Sequence, residues 1–309
     1  MDFRQLQALV AIADHGSFSA AATSLHTVQS NISNHVARLE RELGVQLVDR
    51  GAGELTDEGV AVVERARRVS AELGAVVADM AAMRDHLAGT VRLGMIGTTA
   101  RWLAPLLLDE FVRDHPQVQL VIGDGTSITL EPQVVNGALD AAVVNLPQAS
   151  PELIEHPLFD EDLMLVVPAG HPLAGRRRAA LAEVDGLKLL LPAPGSIFRT
   201  EIDEAARQAG VTLCPKAELD GLRLIASLTR RGYGPAILPA TGAAEFDHTF
   251  SCVPLQGLPR RRVGVLVRRR GRPSAPARVT LEILDRVVAV HLDAHSGLHR
   301  PQRAPTPKR

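Results

Sequence analysis

The chain has 309 residues, 46% of them hydrophobic, and a formal net charge of −1. That length accommodates two or three domains with proper cores, and that composition excludes a disordered or fibrous chain. No apolar run reaches the length of a membrane span and the first residues lack a basic-then-apolar signal pattern, so a cytoplasmic location and no membrane partner are expected.

The near-zero total hides an asymmetry. Residues 1–58 carry a net charge of −4, whereas 259–309 carry +10. Charge alone therefore points to the C-terminal end as a nucleic-acid binder. Only Cys214 and Cys252 are present. Two buried structural thiols are the plainer expectation, a redox pair the sharper one. With no CxxC, no HExxH and no Cys/His cluster, neither a metal nor a cofactor is expected.

In chain order, "FRQLQALVAIADHGSFSAAATSLH" reads as two helices. Phe3, Leu6, Leu9, Val10 and Ala13 form a stripe, Gly16 suits a left-handed C-cap, and a short helix runs from about Ser19 to Leu25. A third helix follows His26, with Thr27 as the expected N-cap and Val28, Ile32, Val36 and Leu39 expected to face the core. Its other face holds Gln29, Ser30, Asn31, Ser33 and Asn34. Short amides and hydroxyls are indifferent helix formers, so a merely solvated face would favour Glu, Lys and Arg. They suit base edges in a major groove, which makes this a helix-turn-helix whose third helix reads double-stranded DNA. The candidate DNA contacts are Thr27, Gln29, Ser30, Asn31, Ser33, Asn34 and Arg38, joined by Arg50 and Thr56 at phosphate. Residues 44–59, with four glycines, read as a small β-hairpin wing.

From Asp57 to about Leu87, Val62, Ala66, Val69, Leu73, Val76, Met80, Met83 and Leu87 recur at alternating spacings of four and three. One helix does not bury such a heptad seam alone, so a dimer coiled coil is expected through Val62, Val69, Leu73, Val76, Met80 and Met83. Packing on its own domain is the alternative. Gly74 weakens this helix, and 88–90 is the expected hinge.

Beyond 90, apolar strand-like runs alternate with helical segments at 100–114, 127–137, 196–209, 222–231 and 276–292. That alternation implies parallel α/β sheets in two lobes around a cleft. Ligands in such folds sit at the carboxyl ends of strands. Four turns fit there, at 97–101, 123–127, 192–199 and 220–223. Thr98, Thr99, Thr126 and Ser196 are the expected effector contacts. Phe198 would pack on the effector and Arg199 would pair with its carboxylate. Each alone is more simply a cap or turn residue.

The stretch "GSFSAAATSLHTVQSNISNHVARLERELGVQLVDR" with "LTDEG" resembles the winged helix-turn-helix of LysR-type transcriptional regulators. "HPQVQLVIGDGTS", "NGALDAAVV", "VVPAGHPLA" and "RRGYGPAILPA" resemble the family's effector domain. The resemblance covers nearly all of the chain except the tail, and it carries the family's ligand positions to Thr98, Thr99, Thr126 and Phe198. The wing is shorter than many, with Glu54 where a basic residue is common. Asn34 stands where Arg is frequent, and Pro235 departs from the usual apolar residue.

The expected fold class is thus α plus α/β. Residues 1–58 form the winged helix-turn-helix, 59–88 the linker helix and 89–295 the effector domain. Lobe I comprises about 89–167 and 268–295, lobe II about 168–267, and 296–309 form a disordered basic tail. The expected function is a sequence-specific, DNA-binding transcriptional regulator, not an enzyme, controlled by a small anionic effector between the lobes. Its expected partners are double-stranded DNA, the effector, a second copy and RNA polymerase. The resemblance adds a tetramer, autoregulation and control of a neighbouring gene. The alternatives are a thiol-based redox regulator using Cys214 and Cys252 and a non-specific architectural DNA binder using 259–309.

Overall fold

The computed structural model describes residues 1–49, 51, 53–84, 86–148, 150–244 and 246–301. Helix α1 (Phe3–His15) starts on a reciprocal capping box. The Asp2 carboxylate accepts from Gln5 N at 3.0 Å, and Asp2 N donates to the Gln5 side chain at 2.9 Å. It ends at Gly16, whose φ of 73° is the left-handed C-cap the sequence suggests. Helix α2 (Phe18–Ser24), capped by Ser17, runs into a tight turn in which His26 takes a φ of 51°. Helix α3 (Gln29–Leu43) follows.

Two expectations fail at that junction. The N-cap of α3 is Val28 and makes no side-chain bond. Thr27, one residue too early to cap, instead accepts from Asn31 Nδ2 at 2.9 Å. Val28 is 60% exposed rather than core-facing, because it stands in extended backbone before the helical period begins. Ile32, Val36 and Leu39 do enter the core, against Leu6, Leu9, Ile12, Ala21 and Leu47.

Strands β1 (Val48–Asp49) and β2 (Glu54–Leu55) form the antiparallel wing. It is tied to α3 by Glu40, whose carboxylate accepts from Leu47 N at 2.9 Å and Val48 N at 3.3 Å. Helix α4 (Asp57–Ala82) is capped by the Thr56 hydroxyl, which accepts from Gly59 N at 3.0 Å and donates to Gln46 O at 2.7 Å. That hydroxyl is engaged within the fold, so its expected phosphate contact is replaced by a capping role. The helix ends five residues before Leu87. Its seam divides: Ala66 is buried and Val62 half-buried against the module's own core, while Val69, Leu73, Val76, Met80 and Met83 are exposed.

The first lobe is built from β3 (Gly89–Ile96), α5 (Gly97–Asp114), β4 (Val118–Gly125), α6 (Ser127–Val135), β5 (Ala141–Leu146) and β6 (Leu153–Glu161). The second holds β7 (Leu163–Pro168), β8 (Ala179–Ala180), β9 (Lys188–Pro192), α7 (Ile197–Gln208), β10 (Cys214–Leu219), α8 (Leu222–Arg230), β11 (Ala236–Pro239), α9 (Ala240–Ala243) and β12 (Phe250–Gln256). The chain returns to the first through β13 (Arg261–Arg268), α10 (Ala275–His291) and β14 (Leu298–His299).

The sheets run β14-β6-β13-β5-β3-β4 and β10-β9-β11-β7-β12-β8. Both are mixed rather than parallel. Strand β13 lies antiparallel to β5 and β6, and β7 antiparallel to β11 and β12, because each return between lobes enters its sheet from the opposite end. The crossings fall at Asp162 and at 257–260, so 163–167 belong to the second lobe and 261–267 to the first, unlike the expected boundaries near 168 and 268. Residues 298–299 pair with β6 as a strand rather than starting a loose tail, and His299 Nε2 meets Asp162 Oδ2 at 2.8 Å. The rest of the expected tail, 302–309, lies outside the described residues. One apolar cluster runs from Leu93, Leu103 and Phe159 across to Met164, Ile225 and Leu238, joining the lobes.

A candidate DNA-reading helix and an interlobe cleft

The outer face of α3 presents Gln29, Ser30, Asn31, Asn34 and Arg38 exposed, with Thr27 and Ser33 half-buried. The core-facing stripe of Ile32, Val36 and Leu39 dictates this division. Arg50 lies outside the described residues. Several carboxylates of this module make folding contacts. Asp2 caps α1, Glu40 holds the wing, Glu42 meets Gln5 Nε2 at 3.2 Å, and Asp14 pairs with Arg67 of α4.

Several arginines of the basic C-terminal stretch are likewise engaged. Arg260 pairs with Asp162 at 2.8 Å and Arg262 with Asp160 at 2.7 Å. Arg269 donates to Pro151 O and Leu153 O at 2.9 and 3.0 Å, and Arg286 pairs with Glu110 at 2.5 Å. These four arginines of the run stitch the first lobe and its crossing rather than stand free.

Between the lobes lies a cleft of about 400 Å³. Four helices begin on it. Ile96, Gly97 and Thr98 come from the start of α5, Thr126 and Ile128 from α6, Ser196, Ile197 and Phe198 from α7, and Gly221, Leu222 and Arg223 from α8. Thr126 caps α6 by accepting from Thr129 N at 3.3 Å, and Ser196 caps α7 by accepting from Arg199 N at 3.2 Å. Helices α5 and α8 have no side-chain cap. Each helix end carries about half a positive charge and free N–H groups. Asp124, Asn145, Asp220 and Arg261 complete the polar lining, and Arg223 reaches across the cleft to pair with Asp124. The Glu201 carboxyl, one turn into α7, is pushed up by burial and drawn back by the nearby Arg261 charge.

The structure thus brings Thr98, Thr126, Ser196 and Phe198 to one cleft. It does not do so for two residues proposed from sequence. Thr99 is fully buried and absent from the lining. Arg199 is only 9% exposed and is engaged internally through Nε and Nη1. It binds Asp203 at 2.8 and 2.9 Å, Pro192 O at 2.8 Å and Glu218 at 2.9 Å. The cationic contribution passes to Arg223, which lies in the expected 220–223 turn but was not singled out, and to Arg261, which sequence reasoning missed. Asn145, a polar residue closing an apolar strand, was a visible signal outside the four expected turns.

Both thiols are half-buried rather than buried. Cys214 opens β10 and Cys252 sits in β12, with β9, β11 and β7 between them. Four strand spacings put these strands about 19 Å apart, whereas a disulfide needs Cα atoms within about 7 Å. Burial also pushes the Cys252 thiol up, which disfavours the reactive thiolate. Among the described residues, no group of three His, Cys, Asp or Glu is placed to hold a metal, and no helix is long and apolar enough to cross a membrane.

Known proteins share this layout. Residues 3–60 match the model of the bacterial regulatory helix-turn-helix protein, lysR family, and 84–289 that of the LysR substrate binding domain. The hydrogen peroxide-inducible genes activator of Pectobacterium carotovorum subsp. carotovorum is 30% identical over 96% of this chain and 98% of its own. A probable hydrogen peroxide-inducible genes activator of Mycobacterium leprae (strain TN) is 33% identical over 92% and 93%. A full-length OxyR variant from Pseudomonas aeruginosa superposes with a TM-score of 0.76, at 27% identity, over 98% of this chain and 99% of that one. Full-length CbnR in complex with its target DNA gives 0.67 at 26% identity, over 93% and 100%. With a helix-turn-helix module, a long helix and a two-lobed domain in this order, the chain belongs to the LysR family of DNA-binding transcriptional regulators.

Proposed function

We propose that this regulator is switched by a small anionic effector held between its lobes. The observation that supports it most is the convergence of four helix N-termini on one cleft of about 400 Å³. Such ends favour negative charge, and pockets of this size suit small molecules. Thr98, Thr126 and Ser196 offer hydroxyls there, and Arg223 and Arg261 offer charge.

The exposed stripe of Val69, Leu73, Val76 and Met80 on α4, continued by Met83 just past its end, supports pairing with a second copy, since such a run of large apolar side chains is costly in water. A pair of α3 helices then reads two half-sites of a pseudo-palindrome through Gln29, Ser30, Asn31 and Asn34, with Arg38 toward phosphate. Effector binding biases lobe closure and with it the spacing of the two reading helices. The test is a DNase footprint and DNA bend angle on a bound operator fragment, with and without a cleft ligand. A shift in either is expected, and a saturating ligand that changes neither would refute the switch.

Relatives named for peroxide induction favour a second reading, a thiol response. In this chain an intramolecular Cys214–Cys252 bond would have to span three intervening strands, so that route is disfavoured.

A further inference from the structure

At the floor of the cleft, two buried charges meet at the chain crossings. Glu161 ends β6 and Arg261 begins β13, and the two are partners in register. Glu161 is fully buried and Arg261 is 7% exposed. Glu161 Oε2 accepts from Thr241 N at 3.0 Å and Thr241 Oγ1 at 2.8 Å, both from the second lobe. Arg261 Nη2 donates to Asn145 Oδ1 of the first lobe, and its guanidinium carbon lies 5.2 Å from the centre of the Phe198 ring of the second. The facing atoms, Glu161 Oε1 and Arg261 Nη1, are 3.6 Å apart, and neither has a hydrogen-bond partner among the described residues.

A buried guanidinium with an unbonded donor is costly, and an incompletely formed buried pair more so. That donor is itself enclosed and turned to Glu161, while the Arg261 residue lines the cleft. On the reading that the cleft is the effector site, we propose that Arg261 is the residue that selects the effector's chemical class: a monocarboxylate with a flat apolar body. The guanidinium fork matches a planar carboxylate. Ile128, Ile197, Phe198 and Leu222 supply apolar wall for the rest of the molecule. Asp220 on the same lining repels a second negative charge, which disfavours phosphate. A carboxylate on Arg261 would touch a side chain that contacts both lobes and faces the carboxylate of the other crossing. Its binding is thereby coupled to the hinge.

The test is calorimetric titration of the full chain with butyrate, hexanoate, phenylacetate and cinnamate, each beside its neutral amide, and with inorganic phosphate. At least one acid should bind roughly tenfold or more tightly than its amide and than phosphate. Arg261→Lys should shrink that preference and Arg261→Gln should abolish it. Because Arg261→Gln leaves Glu161 buried without its counter-charge, Glu161→Gln/Arg261→Gln is measured beside it, and it should also lack the preference. Acids and amides binding alike, phosphate binding best, or a double variant that keeps the preference would each overturn Arg261 as the selector and leave the cleft as the effector site. Binding by no compound at all would count against both.

Discussion

Helix α4 contains two glycines for which helix propensity and packing predict different outcomes. Replacing either by alanine should gain up to about 1 kcal/mol from backbone entropy. At Gly74 nothing lies within 4 Å of where a Cβ would stand, so Gly74→Ala should stabilise by about that amount. At Gly59 the added Cβ would lie 2.0 Å from Leu47 O and 3.0 Å from Leu47 C. That carbonyl has little freedom to retreat. It accepts from Thr56 N at 3.0 Å, Leu47 N is held by Glu40, and the Leu47 side chain is fully buried. Overpacking of this kind costs about 1–3 kcal/mol, and forcing backbone aside places it at the upper end. Losing one wing hydrogen bond adds about 1 kcal/mol. After the propensity gain, Gly59→Ala should destabilise the winged module by about 2–3 kcal/mol. Hydrogen exchange of the 47–59 amides with thermal melts of both variants would measure it. A Gly59→Ala protein as stable as Gly74→Ala, with unchanged protection in the wing, would refute the close approach.

Leu73→Glu should dissociate the dimer. Losing two apolar side chains from a paired seam costs roughly 3 kcal/mol, about a hundredfold in dissociation constant, and sedimentation equilibrium would read it. If oligomer mass is unchanged, α4 does not form the interface. Cys214→Ser/Cys252→Ser should respond to peroxide as the wild type does in an operator-binding assay. A response present in the wild type and absent from the variant would restore the thiol alternative.

The elements that were legible in the sequence are those whose signal is local. The stripe Ile32, Val36, Leu39 and the glycine at 16 report their own helix, and the alternation of apolar strands with helices is written along the chain. Non-local facts were not legible. Strand β6 was missed because its burial changes midway, from an exposed Glu155–Pro157 to a buried Leu158–Glu161. Strand direction depends on where the chain re-enters a sheet, which periodicity does not encode. In the cleft, Thr126 and Ser196 were findable as helix starts. Arg261 was hidden, because nothing in "RRR" distinguishes the buried member from its solvated or paired neighbours. Arg199 misled in the opposite sense. Its partner Asp203 stands four residues on and was visible, but Glu218 comes from another strand.

Whether α3 reads base sequence decides how this regulator finds its sites. The most direct measurement is capture of fragmented genomic DNA by the full-length protein at one fixed salt concentration, sequenced beside a Ser30→Ala/Asn34→Ala variant whose folding is verified by its melt. Both side chains are exposed on the helix and cap nothing, so the fold should survive the change. Sharp peaks at a few interrupted palindromes, lost in the variant, are the predicted result. Diffuse binding retained by the variant would contradict it and return attention to the arginines of the C-terminal arm.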